Sequence, residues 1–162
     1  MARVASIGAR IYIGDKSWTH ETLAEYDGQT TGWEEIGRVE SIPEHGTKWE
    51  TGAFTPVATG RKEKFKTVKD AGDMQLTCAR DGSDAGQQAA MDAAEDEQDD
   101  YPIKVVLGDN PGGSGGKPTR SYFRALVTSA TMVPGGAPDI VKTNIGLAVN
   151  SDVIVGEAAA GS

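Results

Sequence analysis

A chain of 162 residues, with 16 Lys and Arg against 24 Asp and Glu and a net charge of −8, supports one domain with a real core. The acidic balance has the wrong sign for wrapping phosphate backbones, and no apolar run reaches the roughly 18–20 residues of a membrane span. The 35 β-branched residues against 5 Leu, with 21 Gly and 7 Pro, favour short strands joined by turns.

The opening MARVASIGARIYIG alternates and carries Arg3 and Arg10, unlike the apolar heart of a signal peptide. Residues 9–13 read as a strand closed by Gly14-Asp15, and Thr19 caps a predicted short helix that runs to Tyr26. Trp33 to Ile42 reads as a strand stopped by Pro43, which has no N–H to donate. From 43 to 60 no period is visible, yet Trp49, Phe54 and Val57 are present, which is unlike a disordered segment. A long loop of this kind either folds back over its own core or is ordered by a partner.

Residues 61–69 place Lys62, Lys64 and Lys66 on one face and Glu63, Phe65 and Thr67 on the other. After the Asp70-Ala71-Gly72 turn, Met74, Leu76 and Cys78 alternate with Asp73, Gln75 and Thr77, as in a half-buried antiparallel strand. The short connection suggests a hairpin between these two strands. Asp84 and Gln87 resemble a capping box opening an Ala-rich helix over about 84–97, whose end gathers the acidic run 95–100. Negative charge there opposes the macrodipole, and a solvated acidic face is a simpler reading than a metal site. Strands follow at 101–107, 120–133 and 140–149, with a short piece at 153–155. A flexible Gly-rich loop covers 108–119, and a loose tail 156–162. The whole chain, 1–162, reads as one mostly β domain, an antiparallel sandwich or barrel with one short flanking α-helix.

Catalytic vocabulary is scarce. Gly116-Lys117 sits where a phosphate loop would need a leading Gly and a trailing Ser or Thr, but Pro111 and Pro118 occupy those places. Asp81-Gly82-Ser83-Asp84 lacks the spacing of a calcium loop, and no HExxH or GxSxG occurs. The lone cysteine, Cys78, makes no internal disulfide, fits a reducing compartment and reads as a small buried hydrophobe. The expectation is a protein that is not an enzyme, with no cofactor and no metal site.

The segments GWEEIGRVESIPEHG, TGRKEKFKTVKDAGDMQLTCARD, SDAGQQAAMDAA and the closing strands resemble, in that order, the major tail tube protein of long-tailed, non-contractile bacteriophages. The resemblance is one of layout and spans residues 8–155. It implies a structural virion protein, made in the bacterial host cytoplasm, whose sheets join at their edges into a ring-shaped β-barrel. Hexameric rings would stack into a tube through which the genome passes. The resemblance also implies tape measure, distal tail and tail terminator proteins as partners. It gives the long loop an inter-ring role, with Glu44, His45, Lys48, Trp49, Glu50, Phe54 and Arg61 as candidates. Asp73, Gln75 and Thr77 are candidates for the lumen lining, where an acidic or neutral wall would let DNA slide without adhering. Six copies of a −8 chain would put −48 on one ring. Two other readings stay open. One is a type VI secretion-type tube protein. The other is a monomeric β-sandwich binding or capsid decoration module, which would carry a short ordered loop at 43–60 and one patch of exposed aromatics.

Overall fold

A computed structural model describes residues 7–161. The opening stretch with Arg3, and Ser162 at the end of the expected tail, lie outside the described residues. In chain order the elements are β1 (Arg10–Ile13), α1 (Leu23–Gly28), β2 (Glu34–Glu35), β3 (Val39–Ser41), β4 (Trp49–Phe54) and β5 (Glu63–Lys69). There follow β6 (Asp73–Ala79), α2 (Ala85–Ala94), β7 (Tyr101–Val106), β8 (Arg120–Val133), β9 (Lys142–Val149) and β10 (Ile154–Gly156).

Alternation sets the architecture. Ile11 and Ile13, Met74, Leu76 and Cys78, Ile103 and Val105, Phe123, Ala125 and Val127, and Ile145 and Leu147 all turn to one side and are buried. Five strands that each hide alternate residues must share a concave face. The sheet runs β2-β1-β7-β8-β9-β6-β3 with every pairing antiparallel, and β10 continues beside β8 where β9 leaves off. Ala90 and Ala93 of α2 complete the core; their small side chains let the helix lie close to the sheet.

The two ends of that strand order, β2 and β3, are consecutive in the chain. Only Ile36–Arg38 separates them, so the sheet curls until a three-residue link spans its seam. Ile36 donates to the Ile11 carbonyl on one side, and Arg38 accepts from the Ala79 N–H on the other. The single strand expected from Trp33 to Ile42 is therefore broken in the middle, where Arg38 takes φ of 56°. The N-terminus of α2 occupies the break. Asp84 caps it by accepting from Gly86 and Gln87 N–H, as the sequence suggests. Gln87 does not close a capping box. It is buried, donates to the Gly37 and Ala79 carbonyls, and accepts from the Asp81 N–H, tying both sides of the seam together.

The reverse face of β1, β7 and β8 carries a second, aromatic cluster that periodicity did not reveal. Tyr26 stacks on Tyr122 with ring centres 4.8 Å apart, Trp18 meets Trp33 edge-on at 4.9 Å, and Lys104 lies over Tyr12 and Trp33. Asp27 anchors the segment by pairing with Arg120 at 2.7 Å and accepting from the Tyr122 hydroxyl at 2.9 Å. The Arg120 hydrogen bonds hold the Asp27 carboxyl below its ordinary range; burial, then the bond to Asp27, pushes the Tyr122 phenol well up. The helix here starts from Thr22, not Thr19.

Four further expectations are corrected. The strand β5 does not pair with β6; it pairs with β4, inside the stretch read as a loop at 43–60. The helix α2 ends at Ala94, short of 97, so the acidic run lies beyond its last turn. Three of those carboxylates have partners: Lys16 reaches Asp96 and Asp99 at 2.8 and 3.0 Å, and Arg124 reaches Asp100 at 2.7 Å. The tail is also held, through reciprocal Lys117–Ala159 backbone bonds and the Gly161 N–H on the Gly112 carbonyl.

Candidate assembly surfaces

Three features of the folded chain stand out on its surface. The first is unpaired strand edge. β7 stops opposite Ala125, so Leu126–Val133 of β8 has no partner on that side among the described residues. Across β9, β3 covers only Thr77 and Cys78 of β6, leaving Asp73–Leu76 open. The block β6-β9-β8 thus presents free N–H and C=O groups along both margins. Such edges demand a partner or a protecting device.

The second is the β4–β5 hairpin, an arm that leaves the body after Pro43–Lys48 and returns at Asp70, where its N–H meets the Lys48 carbonyl. None of its residues is buried. Its two faces differ in character. Phe54 and Phe65, more than half exposed, share one face, and a side chain on Gly52 would collide with the Phe65 ring. Lys64 and Lys66 sit on the other, opposite Ala53 and Thr51. Lys66 and Lys69 stand over the Trp49 ring at 5.4 and 5.7 Å, cation–π contacts that hold the lysines in place. Residues 49–69 carry five cations and two carboxylates, net +3 against −11 for the rest of the chain.

The third is the outer face of β6 and β9, opposite the core. Asp73 and Gln75 are exposed here, and the Thr77 hydroxyl donates to Asn144 Oδ1 at 3.0 Å. The alternation read from Asp73 to Ala79 holds residue by residue: Met74, Leu76 and Cys78 are inside. Burial raises the Cys78 thiol above its ordinary range, away from reactive thiolate chemistry.

The structure divides the residues expected in one reaching loop into three groups. Trp49, Glu50 and Phe54 lie on β4, and Arg61 sits on the arm just before β5. Glu44 and Lys48 are in the neck, 3.9 Å apart. His45 turns inward, its ring centre 5.9 Å from that of Phe123 and its Nδ1 3.2 Å from the Pro43 carbonyl. The sequence reading missed Phe65 and Val68 as arm residues, although the Pro56–Gly60 tip, flanked by two six- to seven-residue runs, marks a hairpin.

No family model and no curated protein matches the sequence. Solved structures match by fold. A chain of the anti-feeding prophage (AFP) baseplate superposes with a TM-score of 0.69 at 11% identity, covering 97% of each chain. A chain of the PVC extracellular contractile injection system, from its sheath/tube terminator, gives 0.68 at 15%, covering 96% of this chain and 98% of that one. The SPP1 tail tube gives 0.64 at 13%, covering 96% and 80%. The chain has the tail-tube fold found in contractile and non-contractile systems alike.

Proposed function

We propose that this chain is the tube subunit of a phage tail, self-assembling into hexameric rings that stack into a conduit for the genome. The observation that carries the reading is the pair of open edges flanking β6-β9-β8: the Leu126–Val133 margin of one copy can hydrogen-bond the Asp73–Leu76 margin of the next. Repeated around a closed ring, that contact pairs the open margins of neighbouring blocks and joins the blocks into one barrel. Asp73, Gln75 and Thr77 would then line the channel with groups that do not bind phosphate. Tape measure, distal tail and tail terminator proteins are the partners this role implies, and the assembled tail is where the protein would act. The role requires no cofactor and no catalysis.

A second reading, the inner tube of a contractile injection system, is supported by the AFP and PVC likenesses. Both readings require self-assembly. Negative-stain electron microscopy of purified protein at rising concentration should show six-fold rings and then tubes. A persistent monomer at the highest soluble concentration overturns both.

A further inference from the structure

The long strand β8 has two halves with different surroundings. Arg120–Tyr122 is buried, with β7 on one side and β10 on the other. Thr128–Val133 is mostly exposed, has left β7 behind and pairs with β9 alone among the described residues. One half belongs to the curled body, the other to the wall that β6, β9 and β8 form.

The ladder breaks where one half passes into the other. Val127 faces Leu147 and Ser129 faces Gly146, so Thr128 is an extra residue, a β-bulge. Inside and outside keep their order across the break. Val127 is buried, Thr128 and Ser129 are both exposed, and Ala130 lies opposite the buried Ile145. A bulge bends its strand and sharpens the twist, and strands use it to turn a corner from one sheet into another. The facing residue, Gly146, is the only glycine of β9. A Cβ there would come within 2.5 Å of Ser129 Oγ and 3.0 Å of Thr128 Oγ1. Glycine weakens a strand interior and marks a bulge or a tight corner, so the two strands make this bend together. The bend lies inside the open margin Leu126–Val133, just past the point where β7 stops.

We propose that the Thr128 bulge, seated on Gly146, sets the angle at which a copy presents its β8 margin and so fixes the curvature at which the ring closes. A ring of six closes only if each copy turns the wall by about 60°. The angle between the two halves of β8 passes directly into that turn, because one half is held in the body and the other carries the junction. The inference rests on the tube reading. It goes past the joining of edges to name the residues that decide how many copies close.

The test deletes Thr128. The deletion restores an unbroken ladder without moving any side chain to the other face, since Val127, Ser129 and Ala130 keep their partners. The residue removed is exposed, so circular dichroism should show a folded chain that melts close to wild type. Negative-stain electron microscopy should then show arcs or rings of another copy number. Closed six-fold rings should be about tenfold rarer than for wild type at equal concentration. Gly146→Val, which sets a branched side chain against the bulge, should lower the same count and serves if the deletion does not fold. Either variant, once folded, that closes six-fold rings like wild type overturns the inference and leaves the tube reading standing. Unfolding of both also overturns it, because the bulge then serves the fold alone. A wild-type protein that forms no rings overturns the tube reading and this inference with it.

Discussion

Asp27 answers to three donors at once: the Arg120 guanidinium, the Tyr122 hydroxyl and, at 3.6 Å, the Lys117 ammonium. Its side chain is 17% exposed and that of Arg120 10%, so truncating the carboxylate strands a largely buried cation. Allowing for the wet rim, Asp27→Ala should lower stability by about 2–3 kcal/mol, read from urea unfolding at pH 6. The pH dependence has a definite sign. A carboxyl whose folded pKa lies below the unfolded 3.8 contributes fully above 3.8 and loses that contribution as pH falls through the folded value. The wild-type midpoint should therefore drop between pH 5 and pH 3 more steeply than that of Asp27→Ala; parallel curves would refute the assignment. None of this was legible in the sequence, because Asp27 and Arg120 stand 93 positions apart and no local pattern joins them. The same holds for His45, whose loop position suggested outward reach although Phe123 receives its ring.

Strands that hide one face from water announced themselves, and strands that hide none did not. Asp73–Ala79 and Arg120–Val133 were readable because burial writes a period of two into the sequence, and Tyr101–Val106 because it is a short apolar run. In Trp49–Phe54 both faces meet solvent, so no selection for alternation exists and the stretch passed for loop. The Asp70–Gly72 turn was rightly placed, but a short turn does not decide pairing: β6 finds its partners in β9 and β3, far along the chain. The helix α2 was legible from its cap and its alanines, while its task at the seam was not. Gly86 gives that task a test. In an ordinary helix Gly→Ala gains about 1 kcal/mol. Here a Cβ would drive into the Glu35 carbonyl and the Ile36 amide, backbone that cannot swing aside. Gly86→Ala should instead cost roughly 2 kcal/mol and lower the thermal midpoint by about 4–8 °C, measured by circular dichroism.

The molecule is a curled body with an arm that projects from it. Trp49 and Lys69 face each other at the base of the arm, so Glu50–Val68 can be replaced by an Asn-Gly turn without moving the flanking backbone. No buried residue is removed, and the thermal midpoint of the monomer should stay within about 2 °C of wild type. Rings should still form and tubes should not. A body that unfolds on losing the arm would show that the arm belongs to the core. At this scale the sequence was informative: the order of elements led to the tail-tube fold through segments with no catalytic signature. It left out which edges stay open, since the end of β7 relative to β8 is a matter of register.

The three-residue link from Ile36 to Arg38 bears on how such a body comes apart. An open sheet unzips from its outermost strands, where pairing is one-sided and fraying is cheap. Here the outermost strands are leashed to each other by covalent chain, and Gln87 ties that leash to β6. Loosening β2 therefore tugs on β3. Neither margin of the seam can peel alone, so unfolding that starts there is cooperative from its first step.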